Sequence, residues 1–202
     1  MKLYYTPAAC SLAVHIVLRE AGLEFDLEKV DLGTKKTESG IDFMRINPKG
    51  YVPALQLVDG QVLTEDQVIL QYVADQKPES GLAPALGTMQ RYRLMEWLAF
   101  ISTEVHKGFS PFWNPTTPEV TKQNALALLS RRFDYLAERL ANQPWLMADT
   151  YTVADAYLFT VLRWSDYHKI DLSKWPPLTA YMSRVAAKPA VQEAMKAEGL
   201  VE

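Results

Sequence analysis

The chain has 202 residues, 49% hydrophobic and 22% charged, with a formal net charge of −3 and one cysteine. That balance is globular, with apolar residues enough for a real core. It lacks both the basic run of a nucleic-acid binder and the apolar stretch of about 20 residues that crosses a membrane. A single cysteine excludes an internal disulfide, and three scattered histidines give no metal-ligand spacing. Met1–Pro7 is too short and polar for a secretory signal, so a cytoplasmic protein without nucleic-acid, membrane or metal partners is expected.

In chain order, Lys2–Tyr5 reads as a strand and Thr6–Ala9, with Pro7, as a turn. Leu12, Val14, Ile16, Val17 and Leu18 lie on a good helix background, so a helix begins near Cys10 and stops at Gly22. Phe25–Val30 alternates apolar and polar as a half-buried strand does, which makes a βαβ unit with parallel strands. Asp31–Gly40 reads as a polar loop and Ile41–Ile46 as a short helix before Asn47-Pro48-Lys49-Gly50. Tyr51–Val58 and Gln61–Leu63 flank Asp59-Gly60, a strong hairpin signal. Pro53 opens its strand, where a missing donor is tolerated and a cis bond suits a tight turn. Thr64-Glu65-Asp66 then opens a helix through Gln76, with Thr64 as the expected N-cap and both acids in the first turn.

Lys77–Thr88, with two prolines and two glycines, is a linker, and strand signals disappear beyond it. Helices are expected over Met89–Phe109, ended by Pro111, then Glu119–Ala141, Thr152–Tyr167, Pro176–Ala187 and Pro189–Glu198. Thr152 and Asp155 have capping-box spacing. The organisation expected is an α/β domain over residues 1–77, a linker over 78–88 and an all-helical domain over 89–202.

Cys10 is the residue with most chemistry to offer. At a helix start it faces free N–H groups and the positive end of the dipole, which favour thiolate, the reactive form. The plainer reading is a small buried hydrophobe. His15 on the apolar first helix and His168 near a helix end both read as structural, the latter as a cation suited to the dipole.

The pieces YYTPAACS around Cys10, Lys35 in KKTESG, NPKGYVPAL with Val52 and Pro53, LTED with Glu65, STEVHK with His106 and Lys107, and TVAD occur in an order and spacing that resembles the bacterial beta class of cytosolic glutathione transferases. The resemblance runs through essentially the whole chain. It implies an N-terminal thioredoxin-like βαβαββα domain, an all-helical C-terminal domain, a homodimer, and glutathione as co-substrate. It implies that Cys10 contacts glutathionyl sulfur and can form a mixed disulfide with it. Val52 would pair through its backbone with the cysteinyl part, Glu65 and Asp66 would hold the γ-glutamyl end, and Lys35 the glycyl carboxylate. His106 would assist proton transfer, with Thr103 and Glu104 completing the glutathione contacts. Lys107, Phe109, Trp113 and Trp164 are candidates for the walls of a second-substrate pocket, though aromatics at such positions are as often core.

Two residues depart from the class. Ala99 replaces a common Asn, and Asp66 stands where small residues are frequent, adding negative charge near a substrate carboxylate. Tyr5 and Ser11 are the runner-up activators. The function implied is conjugation of glutathione to small apolar electrophiles. The alternatives are a monothiol thiol–disulfide oxidoreductase (no C-x-x-C is present), a dehalogenase using the same thiol chemistry, and a non-catalytic ligand carrier.

Overall fold

A computed structural model describes residues 1–202. Two compact units divide the chain: Met1–Ala83 together with Ala187–Glu202, and Pro84–Ala186. The division falls inside the expected linker, but the last helix belongs to the first unit rather than to the helical one.

The first unit is a five-stranded sheet with order β3-β2-β1-β4-β5. β1 (Lys2–Tyr5) pairs in parallel with β2 (Asp26–Asp31), Leu3 opposite Leu27. On its other side β1 runs antiparallel to β4 (Ala54–Gln56), which forms a hairpin with β5 (Val62–Thr64). The hairpin turn is closed by Asp59, whose carboxylate accepts the Gln61 N–H at 3.0 Å. The crossover helix α1 (Ser11–Glu20) is buried from Ser11 to Leu18, enclosed by the sheet, by α2 (Asp66–Gln76) and by the returning C-terminal helix. Such a helix is apolar nearly all round because neighbours cover every side. Alternation along β1 puts Tyr4 on the opposite face, in a cluster with Val30, Phe43, Val52 and Ala54.

The sequence misses β3 (Lys36–Thr37), which pairs antiparallel with β2 inside the stretch read as a loop. Two residues give no periodicity. The pairing is set by Thr37, which is buried, and by Ser39, whose hydroxyl donates to Glu28 at 2.6 Å. Thr64 ends β5 instead of capping α2, and its hydroxyl accepts from Lys49 Nζ at 2.9 Å. Glu65 takes the cap position with φ +73° and no side-chain cap, leaving Asp66 as the only acid in the first turn.

In the second unit, α3 (Met89–Phe100) continues into a π-helical turn over Ile101–His106, a 3₁₀ turn over Lys107–Phe109, and α4 (Ser110–Trp113). Pro111 does not end this stretch. It sits in the first turn of α4, where its missing N–H is not needed. α5 (Glu119–Leu140) buries a stripe of Ala125, Leu129, Phe133, Leu136 and Leu140. α6 (Val153–Leu162) is buried on all sides, and the expected single helix breaks at Arg163 before α7 (Trp164–Tyr167). The Thr152/Asp155 capping box is present. α8 (Pro176–Ala186) packs on α5 and α6. α9 (Pro189–Ala197) packs on α1 in the first unit. No helix is long and apolar enough to cross a membrane.

Candidate active site

Cys10 is the N-cap of α1, after a turn in which Ala8 has φ +63°. That turn is held from two sides. Ser11 Oγ accepts the Thr6 N–H at 3.2 Å and donates to the Thr6 carbonyl at 3.3 Å. Glu198 Oε2, from the chain's last turns, accepts the Ala8 N–H at 3.0 Å. Ser11, fully buried, is thus a structural residue rather than a runner-up activator.

The Cys10 S–H donates to the Val52 carbonyl at 3.2 Å. Val52 is buried and its bond to Pro53 is cis. A carboxylate oxygen of Asp66 lies within 4.8 Å of the sulfur. Cys10, Val52 and Asp66 are therefore together, supplied by the α1 start, the segment before β4, and the α2 start.

The electrostatics contradict the expectation of a resting thiolate. The Cys10 thiol is pushed well above its ordinary value, first by burial and then by the charge and hydrogen bonding of Asp66. The N–H groups of Cys10 and Ser11 pull the other way, as a helix start should, but they are outweighed. Asp66 is likewise pushed well up by burial, with Glu65 adding to the effect and Cys10 opposing it.

Glu65 is exposed and bonded to Lys49 Nζ at 2.6 Å. Lys35, also at positive φ, is half-buried: its Nζ donates to the Gly50 carbonyl at 2.9 Å and lies 5.9 Å from the Tyr51 ring centre. It is positioned, not a loose surface charge. Tyr5 is buried against His15, and burial raises its phenol, which places it with the core.

In the second unit His106 closes the π-helical turn, an irregularity that recurs at functional sites. Its Nδ1 is 2.7 Å from the Tyr157 hydroxyl, and its ring meets Trp164 edge-on at 4.8 Å. Thr103 is exposed and donates to the Ala99 carbonyl at 3.0 Å. The Glu104 carboxylate is engaged by Arg132 at 2.6 Å, and Lys107 is exposed. Phe109 is fully buried between Phe133, Phe112, Trp164 and His168, so it is core and no pocket wall. Trp164 is nearly buried too, whereas Trp113 is 46% exposed and stacks on Tyr167 at 5.3 Å. His168, among these rings, has its pKa lowered by burial, so the cation-on-dipole reading of it does not hold.

Sequence reasoning missed Glu198, Tyr157, Lys49 and Arg132 as partners of the expected residues. None carries a local signal: each matters through a contact that only the fold creates.

Comparison with known proteins identifies the family. Residues 9–76 match the glutathione S-transferase N-terminal domain and residues 100–189 the C-terminal domain. Glutathione S-transferase GstA of Escherichia coli O157:H7 is 48% identical over 99% of this chain and 100% of its own. A glutathione transferase from Methylococcus capsulatus str. Bath is 73% identical, with TM-score 0.98 and 99% of both chains covered. Two sphingomonad structures, each 47% identical over 100% of both chains, are a glutathione S-transferase complexed with glutathione (TM-score 0.96) and a bacterial beta-class enzyme from Sphingomonas chungbukensis (TM-score 0.97). The chain belongs to the glutathione S-transferase family, and its kinship is with the bacterial beta class.

Proposed function

We propose that this glutathione transferase binds glutathione in its first unit with the sulfur against Cys10, and transfers it to small apolar electrophiles. The observation that carries this reading is the Cys10–Val52–Asp66 grouping at the starts of two helices, where free N–H groups suit a carboxylate-bearing ligand. Val52 would pair through its backbone with the cysteinyl part and Glu65 would hold the γ-glutamyl ammonium, while Lys35 would meet the glycyl carboxylate as a point charge. From the second unit, His106 would assist proton transfer, with Thr103 and Glu104 as further ligand contacts. The exposed Trp113, Lys107 and the edge of Trp164 would face the electrophile.

Burial and Asp66 push the Cys10 thiol up and so lower its thiolate fraction, which slows the exchange chemistry of the alternative, a monothiol oxidoreductase. We further propose a homodimer. Met89, Tyr92 and Met95, at i, i+3 and i+6 on α3, expose one apolar face that a second copy would cover.

Steady-state conjugation of a chlorodinitroarene, with calorimetry of glutathione binding, tests the reading. Lys35→Ala should raise the KM for glutathione roughly tenfold with kcat nearly kept, the signature of lost ground-state binding. Cys10→Ala and His106→Ala should lower kcat/KM. Unchanged kinetics in all three variants would remove the site assignment.

A further inference from the structure

Asp66 stands apart from the other acids of the first unit. It is only 6% exposed, its Oδ1 is buried with no hydrogen-bond partner, and its carboxylate lies within 4.8 Å of the only sulfhydryl in the chain. We propose that Asp66 is the proton-holding partner of Cys10: the two form one acid pair that does not ionise twice, so Cys10 meets glutathione as a neutral, hydrogen-bond-donating thiol. The proposal rests on the glutathione-site reading above and adds a positioning residue to it.

Two acids this close, Asp66 buried and Cys10 half-buried, share a titration, because forming the second negative charge beside the first is costly. The other charged groups of this unit do not relieve the pair. Glu65, next along the chain, adds negative charge, and its own cation Lys49 is spent on it at 2.6 Å. On α1, His15 is committed to Glu198 and Arg19, and Glu198 faces the Ala8 N–H. Lys35 is bonded to the Gly50 carbonyl. No cation of this unit therefore offsets the negative charge of the pair. The S–H already donates to the Val52 carbonyl, and can turn to a sulfur anion placed beside it. Once the glutathione thiol has given its proton to solvent water, the negative charge resides on its sulfur, the atom that attacks the electrophile, and Cys10 stabilises it by donating rather than competing as a second nucleophile.

The test is the pH dependence of Cys10 alkylation by iodoacetamide, a neutral reagent, read by intact mass on the full chain. One cysteine makes the adduct unambiguous. The wild type should show a midpoint above the ~8.5 of an ordinary thiol. Asp66→Asn and Asp66→Ser should lower that midpoint by about one pH unit or more, an increase of roughly tenfold in rate at neutral pH. Asp66→Glu, which keeps the charge, should hold it high. A wild-type midpoint below ~8, or neutral variants that leave it unmoved, overturns the proposal. The wild-type measurement decides even where a variant fails to fold. Calorimetry with glutathione separates the two claims: a shifted midpoint without glutathione binding sinks the functional reading alone, and binding with an unmoved midpoint sinks the Asp66 assignment alone.

Discussion

His15 Nδ1 and Glu198 Oε1 lie 2.9 Å apart, both side chains fully buried, joining the first helix to the end of the chain. Arg19 Nε donates to His15 Nε2 at 3.0 Å, and a guanidinium cannot accept, so the geometry assigns the hydrogen to Nδ1, which donates to Glu198. The other Glu198 oxygen accepts the Ala8 N–H, two residues before Cys10. The C-terminal segment therefore fixes the turn that carries the candidate reactive residue.

Glu198→Ala removes the acceptor of a buried imidazole N–H and the carboxylate that accepts the Ala8 N–H. We expect a loss of about 3 kcal/mol in urea unfolding, the scale for breaking a buried pair, with a lower kcat as the Cys10 turn loosens. Glu198→Gln should recover only part, since one of the two donors then faces an NH₂ group. Full stability in Glu198→Ala would show that the turn holds itself.

Gly108 marks a close approach in the second unit. A Cβ there would sit 2.6 Å from Leu129 Cδ2 and 3.1 Å from its Cγ. Leu129 is fully buried on α5 and has little room to yield. Gly108→Ala should cost about 1–3 kcal/mol by overpacking, measurable as a lowered Tm. Gly108→Ala combined with Leu129→Ala should lose less than the two single changes add up to.

Asp155 gives a pH signature. Burial raises its carboxyl to about 6, although the N–H groups of Leu146 and Thr152 and the hydroxyls of Thr152 and Tyr181 oppose that rise. The folded chain thus binds this proton more tightly than the unfolded chain, whose carboxyl stays near 3.8. Its stabilising contribution is full below the lower value and is lost as pH climbs through the upper one, on the order of 3 kcal/mol in total. Glu28, Asp31 and Asp59 are held below their ordinary values and act in the opposite sense at lower pH. The difference between wild type and Asp155→Asn isolates the component: unfolding at pH 5 and pH 7 should show the wild type losing more across that interval than the variant. Parallel curves would contradict it.

How far the sequence reveals this protein depends on whether a feature is periodic or relational. Leu3, Tyr5 and the alternation through β2 are periodic, as are the stripe of α5 and the Asp59-Gly60 turn, and all are legible. β3 is too short for a pattern, and the π-helical turn before His106 leaves no trace in ISTEVH, which reads as ordinary helix. The motif residues Cys10, Val52 and Asp66 are readable one by one. What Asp66 does to Cys10 is not, because a helix start alone argues for thiolate and only burial beside a carboxylate reverses it. Phe109 shows the same limit: an aromatic on an interior face looks alike as core or as ligand wall until its neighbours are known.

The most direct test of the account is a crystal structure of the protein grown with glutathione. The account predicts the glutathione sulfur within about 4 Å of Cys10 Sγ, the range of a hydrogen bond involving sulfur, with the cysteinyl backbone against Val52 and the γ-glutamyl end at Glu65 and Asp66. Glutathione bound with its sulfur turned away from Cys10, or seated outside the first unit, would contradict it.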